Sequence, residues 1–236
     1  MENEMASRKN TARVAGLLYF FWGLTHLYAL MYLPSQTIVK DNVVATANKI
    51  LANEFLFRTG IINDLISSIL WVFMVLVLYR LFKQVNERQA KLLVAMVMVQ
   101  IPVTFIMGAF NIATLMILKG EILKTFELSQ RQDLASLFLK IGDYGNLTLE
   151  MYWGVWLFPL AILIYKSRFL PRFLAVWLLI TGITYVVLSV TGLLFPEYYA
   201  TLFKFALPAM LGELAFMLWL LIMGAKEHVV NDEPIP

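Results

Sequence analysis

Residues 57–80 read FRTGIINDLISSILWVFMVLVLYR, and this stretch decides the fold class. Every residue from Val72 to Leu78 is apolar, and the whole stretch is long enough as a helix to cross a hydrocarbon core about 30 Å thick. A spanning segment must be a helix or part of a closed barrel, because lipid offers no partners to free backbone groups. A barrel strand would show short alternating segments rather than one continuous run. The stretch therefore predicts a transmembrane helix.

Five further stretches have the same length and apolar character, and they lie at residues 13–33, 91–118, 146–165, 173–195 and 204–224. The composition agrees, since 60% of the 236 residues are hydrophobic and 15% are charged, whereas a soluble domain carries about a quarter charged residues. The mean hydropathy is +0.73. We predict an all-α integral membrane protein with six transmembrane helices in one domain, residues 13–225, between cytoplasmic tails at residues 1–12 and 226–236.

Two of these runs carry additional signals. The first, from Val14 to Leu33, is as long as a full span, and no small-residue cleavage site follows it. We therefore expect a retained helix there rather than a secretory signal. The third run contains Pro102, which predicts a kink or a tilt within the membrane.

The distribution of lysine and arginine predicts the orientation. With an even number of spans both termini share a side, and the short loops of that side hold Arg8, Lys9, Arg13, Arg80, Lys83, Arg88, Lys91, Lys166, Arg168, Arg172 and Lys226. The opposite side holds its basic residues mostly in longer segments, offset by acids: Lys40, Lys49, Lys119, Lys124, Arg131, Lys140 and Lys204. Because cytoplasmic loops carry the excess of Lys and Arg close to the helix ends, both termini are predicted to lie inside.

Two of the outer connections are predicted to be amphipathic helices. Residues 41–56 place apolar side chains at helical spacing, with Asp41 as the predicted N-cap. Residues 129–141 begin with Ser129-Gln-Arg-Gln132, a capping-box pattern, and place their apolar side chains on one face. Such helices would lie on the outer leaflet or roof the bundle.

The chain contains no cysteine, and its two histidines, His26 and His228, lie far apart in sequence. Disulfides and thiolate chemistry are excluded, and a histidine-based metal centre is disfavoured. The sequence has no phosphate-binding glycine loop, no Gly-x-Ser-x-Gly elbow, no His-Glu-x-x-His motif and no basic–aromatic surface for nucleic acid. We therefore expect no cofactor, no metal ion and no nucleic-acid partner.

Polar and ionisable groups inside the spans are the candidate site residues, because an ionised side chain at a helix centre costs roughly 2.5–3.5 kcal/mol. The candidate ligand-binding residues are His26, Arg58, Asn63, Asp64, Asn111, Asn146, Glu150 and Glu213. Most lie in the halves of the spans predicted to face outward, while the inner halves are almost purely apolar. If the polar faces converge, they line a cavity that opens outward and is closed below.

Each candidate also has a structural explanation. Asp64 with Arg58 fits an ion pair near the interface, and His26 fits a packing histidine. The asparagines fit hydrogen bonds between helices. Glu213 is the deepest acid and has no cation near it in sequence, which makes it the strongest functional candidate.

Several motifs resemble those of a known family. They are Asp41-Asn-Val-Val-Ala-Thr-Ala-Asn48 running to Glu54-Phe-Leu-Phe-Arg58, Gly154-Val-Trp156-Leu-Phe-Pro159 followed by Lys166-Ser-Arg-Phe-Leu-Pro171-Arg172, and Gly212-Glu213 through Trp219 to Gly224. In this order, from about residue 12 to residue 224, they resemble the bacterial family catalogued as domain of unknown function 4386. Arg168 stands where that family's turn commonly has a small residue. The resemblance implies a bacterial multi-pass membrane protein and no particular activity.

Two functions from different classes follow from these residues. The leading hypothesis is a non-enzymatic protein of the cell (inner or plasma) membrane, with membrane lipids as partners, that binds a small or lipidic molecule in an outward-facing polar pocket for sensing, transport or protection. The alternative is an intramembrane acid–base enzyme acting on a lipid-like or isoprenoid substrate, with Glu213, Glu150 and Asp64 as its catalytic acids and bases. The sequence leaves the oligomeric state open.

Overall fold

The computed structural model describes residues 2–225, with side chains from residue 7 onward, and this part of the chain contains helices and short connections but no strand. The α-helices are α1 (Glu2–Leu27), α2 (Leu33–Thr37), α3 (Val43–Ala52), α4 (Glu54–Phe82), α5 (Glu87–Met98), α6 (Ile101–Leu118), α7 (Leu128–Val155), α8 (Leu157–Ser167), α9 (Arg172–Leu194) and α10 (Pro196–Ile222). A π-helical turn, Tyr28–Tyr32, joins α1 to α2. The predicted C-terminal tail at residues 226–236, which includes His228, lies outside the described residues.

Within the described residues, six helical segments are long and apolar enough to cross a membrane: Ser7–Thr37, Glu54–Phe82, Glu87–Leu118, Leu128–Ser167, Arg172–Leu194 and Pro196–Ile222. Each predicted run coincides with one of them, so the predicted all-α fold with six transmembrane helices is confirmed. The predicted N-terminal tail at residues 1–12 is mostly helical, because α1 already begins at Glu2.

Apolar side chains cover the outside of the bundle. Ile69, Phe73 and Ile180, for example, are 56%, 57% and 49% exposed. A soluble monomer rarely exposes large contiguous apolar surface, whereas a hydrocarbon environment accepts such side chains at no cost. The outer surface therefore agrees with the span lengths, and the chain is a multi-pass membrane protein.

Prolines follow the interruptions within three of the spans. α5 and α6 are separated at Val99 and Gln100, just before Pro102, because proline lacks a backbone donor and its ring clashes with the preceding turn. The interruption lies where Pro102 predicts a kink or a tilt. Trp156 separates α7 from α8 shortly before Pro159, and the π-helical turn leads into Pro34.

The cap of α3 differs from the prediction by one residue. The Asn42 side-chain oxygen accepts a hydrogen bond from the Ala45 backbone N–H at 2.8 Å. Asp41, the predicted cap, instead lies in the turn before the helix with a left-handed φ of 56°, a conformation that Asp tolerates better than most residues. The Ala47 and Ile50 side chains of α3 pack against the bundle in a small buried cluster of their own.

The start of α7 also differs from the prediction. Glu127 caps it through a reciprocal capping box with Gln130, so the box predicted from Ser129 to Gln132 is wrong by two residues. Residues 129–141 are not a separate helix, because α7 continues unbroken from Leu128 to Val155. α7 contains no proline. Its glycines do not end the helix, because a glycine inside a helix costs only about 1 kcal/mol relative to alanine.

The two ends of the bundle, called here the near end and the far end, differ in the chain segments that they contain. At the near end, the Arg13 Nη2 atom donates a hydrogen bond to the Ile222 carbonyl oxygen at 3.3 Å, and the Arg8 guanidinium stacks on the Phe169 ring at 5.3 Å. The start of α1, the α8–α9 turn and the end of α10 therefore lie together. The far end carries the connections at residues 38–42, 119–127 and 195.

A fully buried apolar core fills the half of the bundle toward the near end. Its members at 0% exposure include Met74, Leu78, Phe82, Leu157, Leu160 and Leu163. These residues lie in the parts of α4 and α8 that run toward the near end. No space remains there for a molecule to pass, because fully buried side chains pack at crystal-like density.

Glycines allow close backbone approach where the spans cross. A Cβ atom on Gly154 would lie 2.4 Å from the Gly182 carbonyl oxygen, and one on Gly182 would lie 2.8 Å from the Gly154 carbonyl oxygen. Small residues at helix crossings are the usual basis of packing in membranes, where apolar burial gives no preference for protein over lipid. The Gly154–Gly182 crossing therefore fixes the fourth span against the fifth.

The predicted orientation has a direct test, because a chain without cysteine accepts single cysteines as unique labels. Gln84→Cys and Thr125→Cys change exposed residues at the near and far ends. With both termini inside, a membrane-impermeant maleimide labels the Thr125→Cys variant on intact cells and labels the Gln84→Cys variant only after lysis. The reverse pattern would contradict the orientation.

The Gly154–Gly182 crossing predicts a specific loss of stability. Gly154→Val forces the two backbones apart, and we expect it to lower the free energy of unfolding by about 1–3 kcal/mol, the usual cost of overpacking. Gly142→Val is the matched control, since a Cβ at Gly142 meets nothing within 4 Å. Thermal unfolding in detergent compares the two variants, and equal melting temperatures would show that the crossing is not close.

Candidate functional site

A cavity of about 870 Å³ lies between α1, α7, α9 and α10. Its deepest lining residues include Tyr19, Trp156 and Met217, near the middle of the bundle, and its outermost include Leu30 and Pro196 at the far end. The buried core closes it toward the near end. The cavity is therefore blind, and it extends from the middle of the bundle to the far end only.

The space arises because α1 and α10 diverge. A Cβ atom on Gly16 would lie 2.4 Å from the Leu221 backbone nitrogen, so the two helices are in close contact there. Two turns later, the nearest neighbour of a Cβ on Gly23 is the Met217 sulfur at 4.0 Å. Toward the far end the helices separate further, and Leu24 and Leu27 of α1, which line the cavity, are 43% and 56% exposed.

Glu213 occupies the deep part of the cavity. The Tyr19 hydroxyl of α1 donates a hydrogen bond to the Glu213 Oε1 atom, and Tyr185 of α9 interacts with the same carboxyl group. Hydrogen bonds to an ionised carboxylate are shorter and stronger than bonds between neutral groups. Three spans thus converge on one acid, which is half-buried because one side faces the cavity.

Glu150 is a second acid in the same cavity, and it is only half satisfied. Its Oε1 atom accepts a hydrogen bond from the Tyr199 hydroxyl at 3.1 Å. Its Oε2 atom is buried and has no hydrogen-bond partner, although the residue is 5% exposed. Leaving a buried polar group unpaired costs about 1–3 kcal/mol, and more for a charged group, so the position calls for an explanation beyond packing.

Aromatic rings form one side of the cavity. The His26 ring lies 4.1 Å from the Trp22 ring and 6.4 Å from the Trp153 ring, measured between centroids. The His26 Nδ1 atom lies 3.1 Å from the Trp22 carbonyl oxygen, which can only accept, so Nδ1 must carry the proton. In the neutral ring this tautomer leaves Nε2 as an acceptor. Trp153 in turn packs edge-on against Tyr185, with centroids 6.3 Å apart.

The structure brings four of the sequence-predicted site residues to this cavity: His26, Asn146, Glu150 and Glu213. The other four, Arg58, Asn63, Asp64 and Asn111, do not line it. The Asn63 side chain donates a hydrogen bond to the Thr25 carbonyl oxygen at 3.0 Å, and so links α4 to α1. Polar faces therefore converge from three of the spans, and the polar face of α4 is not among them.

The ion pair suggested between Arg58 and Asp64 is absent, and Arg58 pairs with Glu54 at 2.7 Å. Glu54 also binds Lys119 at 3.1 Å, and Lys119 reaches Glu121 at 3.1 Å. The hydrogen bonds that Lys119 donates to Glu121 and Glu54 raise the pKa of its ammonium group. These cations and acids neutralise one another at the surface of the far end.

Three tyrosines at the site carry no sequence-based prediction: Tyr19, Tyr185 and Tyr199. Tyr19 and Tyr185 lie in the middle of apolar runs, where a hydroxyl needs a partner, and this is the signal that would have found them. Tyr199 lies at the start of α10, where a tyrosine is typical of a membrane interface.

The acids and tyrosines can hold a polar group or exchange a proton with it. Within residues 2–225, His, Asp and Glu side chains nowhere gather in a group of three or more that could hold a metal ion. Carboxylates and histidine Nε2 are acceptors, tyrosine hydroxyls can donate or accept, and the aromatic walls offer apolar surface. The arrangement is therefore suited to an amphipathic molecule with its polar group near Glu213 and Glu150.

Comparisons with known proteins give one match. The model of a family described as domain of unknown function (DUF4386) matches residues 14–224. No curated protein and no solved structure matches the chain. The matched range includes every residue of the cavity.

Proposed function

The chain belongs to the DUF4386 family, and we propose that it binds one small lipophilic molecule in the cavity between α1, α7, α9 and α10. We place it in the cell membrane, with membrane lipids around it and the cavity opening outward. The observation that carries this proposal is a blind cavity of about 870 Å³ whose lining includes two acids, Glu213 and Glu150. A molecule that donates hydrogen bonds would find acceptors in both carboxyl groups.

The dimensions support a small molecule rather than a macromolecule. Ligand pockets typically enclose about 300–1,000 Å³, with mostly apolar walls and a few placed polar groups. This cavity has aromatic and aliphatic walls, and its lining includes the acids Glu213 and Glu150. A single drug-sized or lipid-derived molecule would fill it.

The acids are easier to explain by function than by stability. In a bundle surrounded by lipid, apolar residues at positions 150 and 213 would pack without any desolvation cost. Glu150 leaves an oxygen unpaired, and Glu213 engages two tyrosines while still facing the cavity. Sites kept at the expense of stability are typical of ligand binding.

The closed near end supports binding over conduction. The residues between the cavity and the near end are fully buried, with Met74, Leu78 and Leu160 at 0% exposure. A channel would need a continuous polar path. With both termini inside, the cavity presents its ligand to the outer side, as a sensor, a scavenger or one state of a transporter would.

An acid–base enzyme is the second candidate, and one observation favours it. Two carboxyl groups, Glu213 and Glu150, share one cavity with tyrosine hydroxyls from α1, α9 and α10. One acid could donate a proton to a lipid-like substrate while the other accepts one. Asp64, predicted as a third member, lies outside the cavity and has no part in this candidate.

Isosteric variants test the proposal. Glu213→Gln and Glu150→Gln keep side-chain volume and a carbonyl oxygen for the tyrosines, and Asp64→Asn is a matched control on α4 outside the cavity. We expect a molecule that stays with the wild-type protein through gentle detergent extraction to be lost from both glutamate variants and kept by Asp64→Asn. Melting temperatures should be unchanged or raised, because a costly acid is removed. Mass spectrometry of the extracts and thermal unfolding are the measurements.

Two results would contradict binding at this site: a molecule retained equally by all variants, or none enriched with the wild-type protein. A collapse of stability in both glutamate variants would mean that the acids hold the bundle together instead. A molecule chemically converted by wild type but not by Glu213→Gln would favour the enzyme.

A further inference from the structure

We propose that the molecule bound in the cavity is a lipophilic cation, an organic ammonium group on an apolar body. This inference rests on the proposed function and adds the charge of the ligand. Three features of the cavity point to a positive charge: its acids, its acceptor atoms and its aromatic rings.

The charged side chains of the cavity are unbalanced. Asp143, Glu150 and Glu213 line it, and His26 is the one basic side chain there. In the part of the chain that the structure describes, no lysine or arginine lines the cavity. The ion pairs around Glu54 lie at the surface of the far end and are already satisfied. A cation would supply the counter-charge that the protein itself does not provide.

The acids and the histidine of the cavity offer acceptors to a ligand. Glu213 and Glu150 line the cavity and only accept when they are ionised, and the tautomer fixed by the Trp22 carbonyl leaves His26 Nε2 as an acceptor. An acceptor is satisfied by an N–H or O–H donor or by a positive charge, and never by an anion. The ionised acids therefore favour a ligand that carries donors or a positive charge over an anionic ligand.

The aromatic walls favour a cation over a neutral donor. Trp22, Trp153, Trp156 and Tyr185 all line the cavity close to the acids. Tryptophan faces attract cations, and the attraction grows when the cation is desolvated. Aromatic rings beside carboxylates are the usual surroundings of quaternary ammonium ligands. An alcohol would gain none of this attraction.

The same chemistry could come from a phospholipid headgroup or from a free amphiphilic cation, and the cavity favours the free cation. A phosphocholine or phosphoethanolamine carries a phosphate next to its ammonium group. Arginine and lysine are the side chains that hold phosphate in proteins, and the described lining of the cavity contains neither, while the N-terminus of α10 lies only at the mouth, at Pro196. A ligand with net positive charge fits, whereas the phosphate of a zwitterion would lie in an acidic lining without a basic partner.

Binding does not depend on the acids being ionised in the empty site. If a carboxyl group is neutral before binding, an entering cation displaces its proton and leaves a carboxylate–cation pair. Charge is conserved, because one proton leaves for each cation bound. The Tyr19 hydroxyl donates to Glu213 and would stabilise the carboxylate in the complex.

Three probes with one tail length test the charge. Decyltrimethylammonium is a cation, decyldimethylamine oxide is a neutral molecule of nearly the same shape, and decylphosphocholine is the zwitterionic headgroup. Binding to the full-length protein in maltoside micelles is followed by tryptophan fluorescence, since Trp22, Trp153 and Trp156 line the cavity. Each probe is titrated against wild type, Glu213→Gln, Glu150→Gln and the control Asp64→Asn.

We expect wild type and Asp64→Asn to bind the cation at least about tenfold more tightly than the amine oxide or the phosphocholine. Glu213→Gln should bind all three probes alike, and Glu150→Gln should lose part of the preference. The probe affinities of the wild type are compared with those of whichever glutamate variant keeps the wild-type elution profile and melting temperature.

Equal binding of the three probes by wild type, or a cation preference that survives in both glutamate variants, would overturn the assignment of charge while leaving the proposed cavity ligand intact. Saturable binding of none of the probes, together with an empty wild-type extract, would remove the proposed function itself. The two failures are therefore distinguishable.

Discussion

The carboxyl group of Glu213 lies in the middle of a lipid-surrounded bundle, where each polar atom needs a protein partner or a ligand. Tyr19 from α1 and Tyr185 from α9 meet this acid of α10, so its position fixes where three spans come together. Between Glu213 and the near end, the core side chains are apolar and fully buried, and α1 contacts α10 closely at Gly16 and Leu221. Between Glu213 and the far end, α1 and α10 separate, and the cavity begins. The acid therefore stands at the boundary between the part of the bundle that is packed for stability and the part that is left open.

The open part depends on interruptions in the helices. The π-helical turn at Tyr28–Tyr32 and the following Pro34 lie where α1 bounds the mouth of the cavity, and turns of this kind are frequent at functional sites. Trp156, between α7 and α8, forms part of the floor. The Gly154–Gly182 contact holds α7 against α9 next to this floor. Rigid crossings thus surround a cavity whose lining includes acids and tyrosine hydroxyls, which is the arrangement expected of a preorganised binding site.

The sequence was sufficient for the six spans, because run length and hydropathy depend on each segment alone. Four of the eight candidates that it offered, Glu150, Asn146, His26 and Glu213, line one cavity. Asp64 lies in a similar polar half, yet Asn63 beside it bonds to Thr25 and α4 turns its polar face away from the cavity. Periodicity identifies a face of a helix but not the helix that this face meets. Sequence reasoning missed Tyr19 and Tyr185 for a related reason. A tyrosine in an apolar run is interpreted as a packing residue until the group that its hydroxyl bonds, on another span, is known.

Solvent access to the deep cavity is the most direct test of this account. Met210 lines the cavity, whereas Leu160 lies in the closed core at 0% exposure, and the chain has no cysteine of its own. Single Met210→Cys and Leu160→Cys variants, treated with the small neutral reagent methyl methanethiosulfonate, are compared by the rate of mass increase of the intact protein. The account predicts rapid modification of Met210→Cys and almost none of Leu160→Cys. Equal protection of both would mean that the bundle is closed around Glu213, and no cavity ligand could reach it.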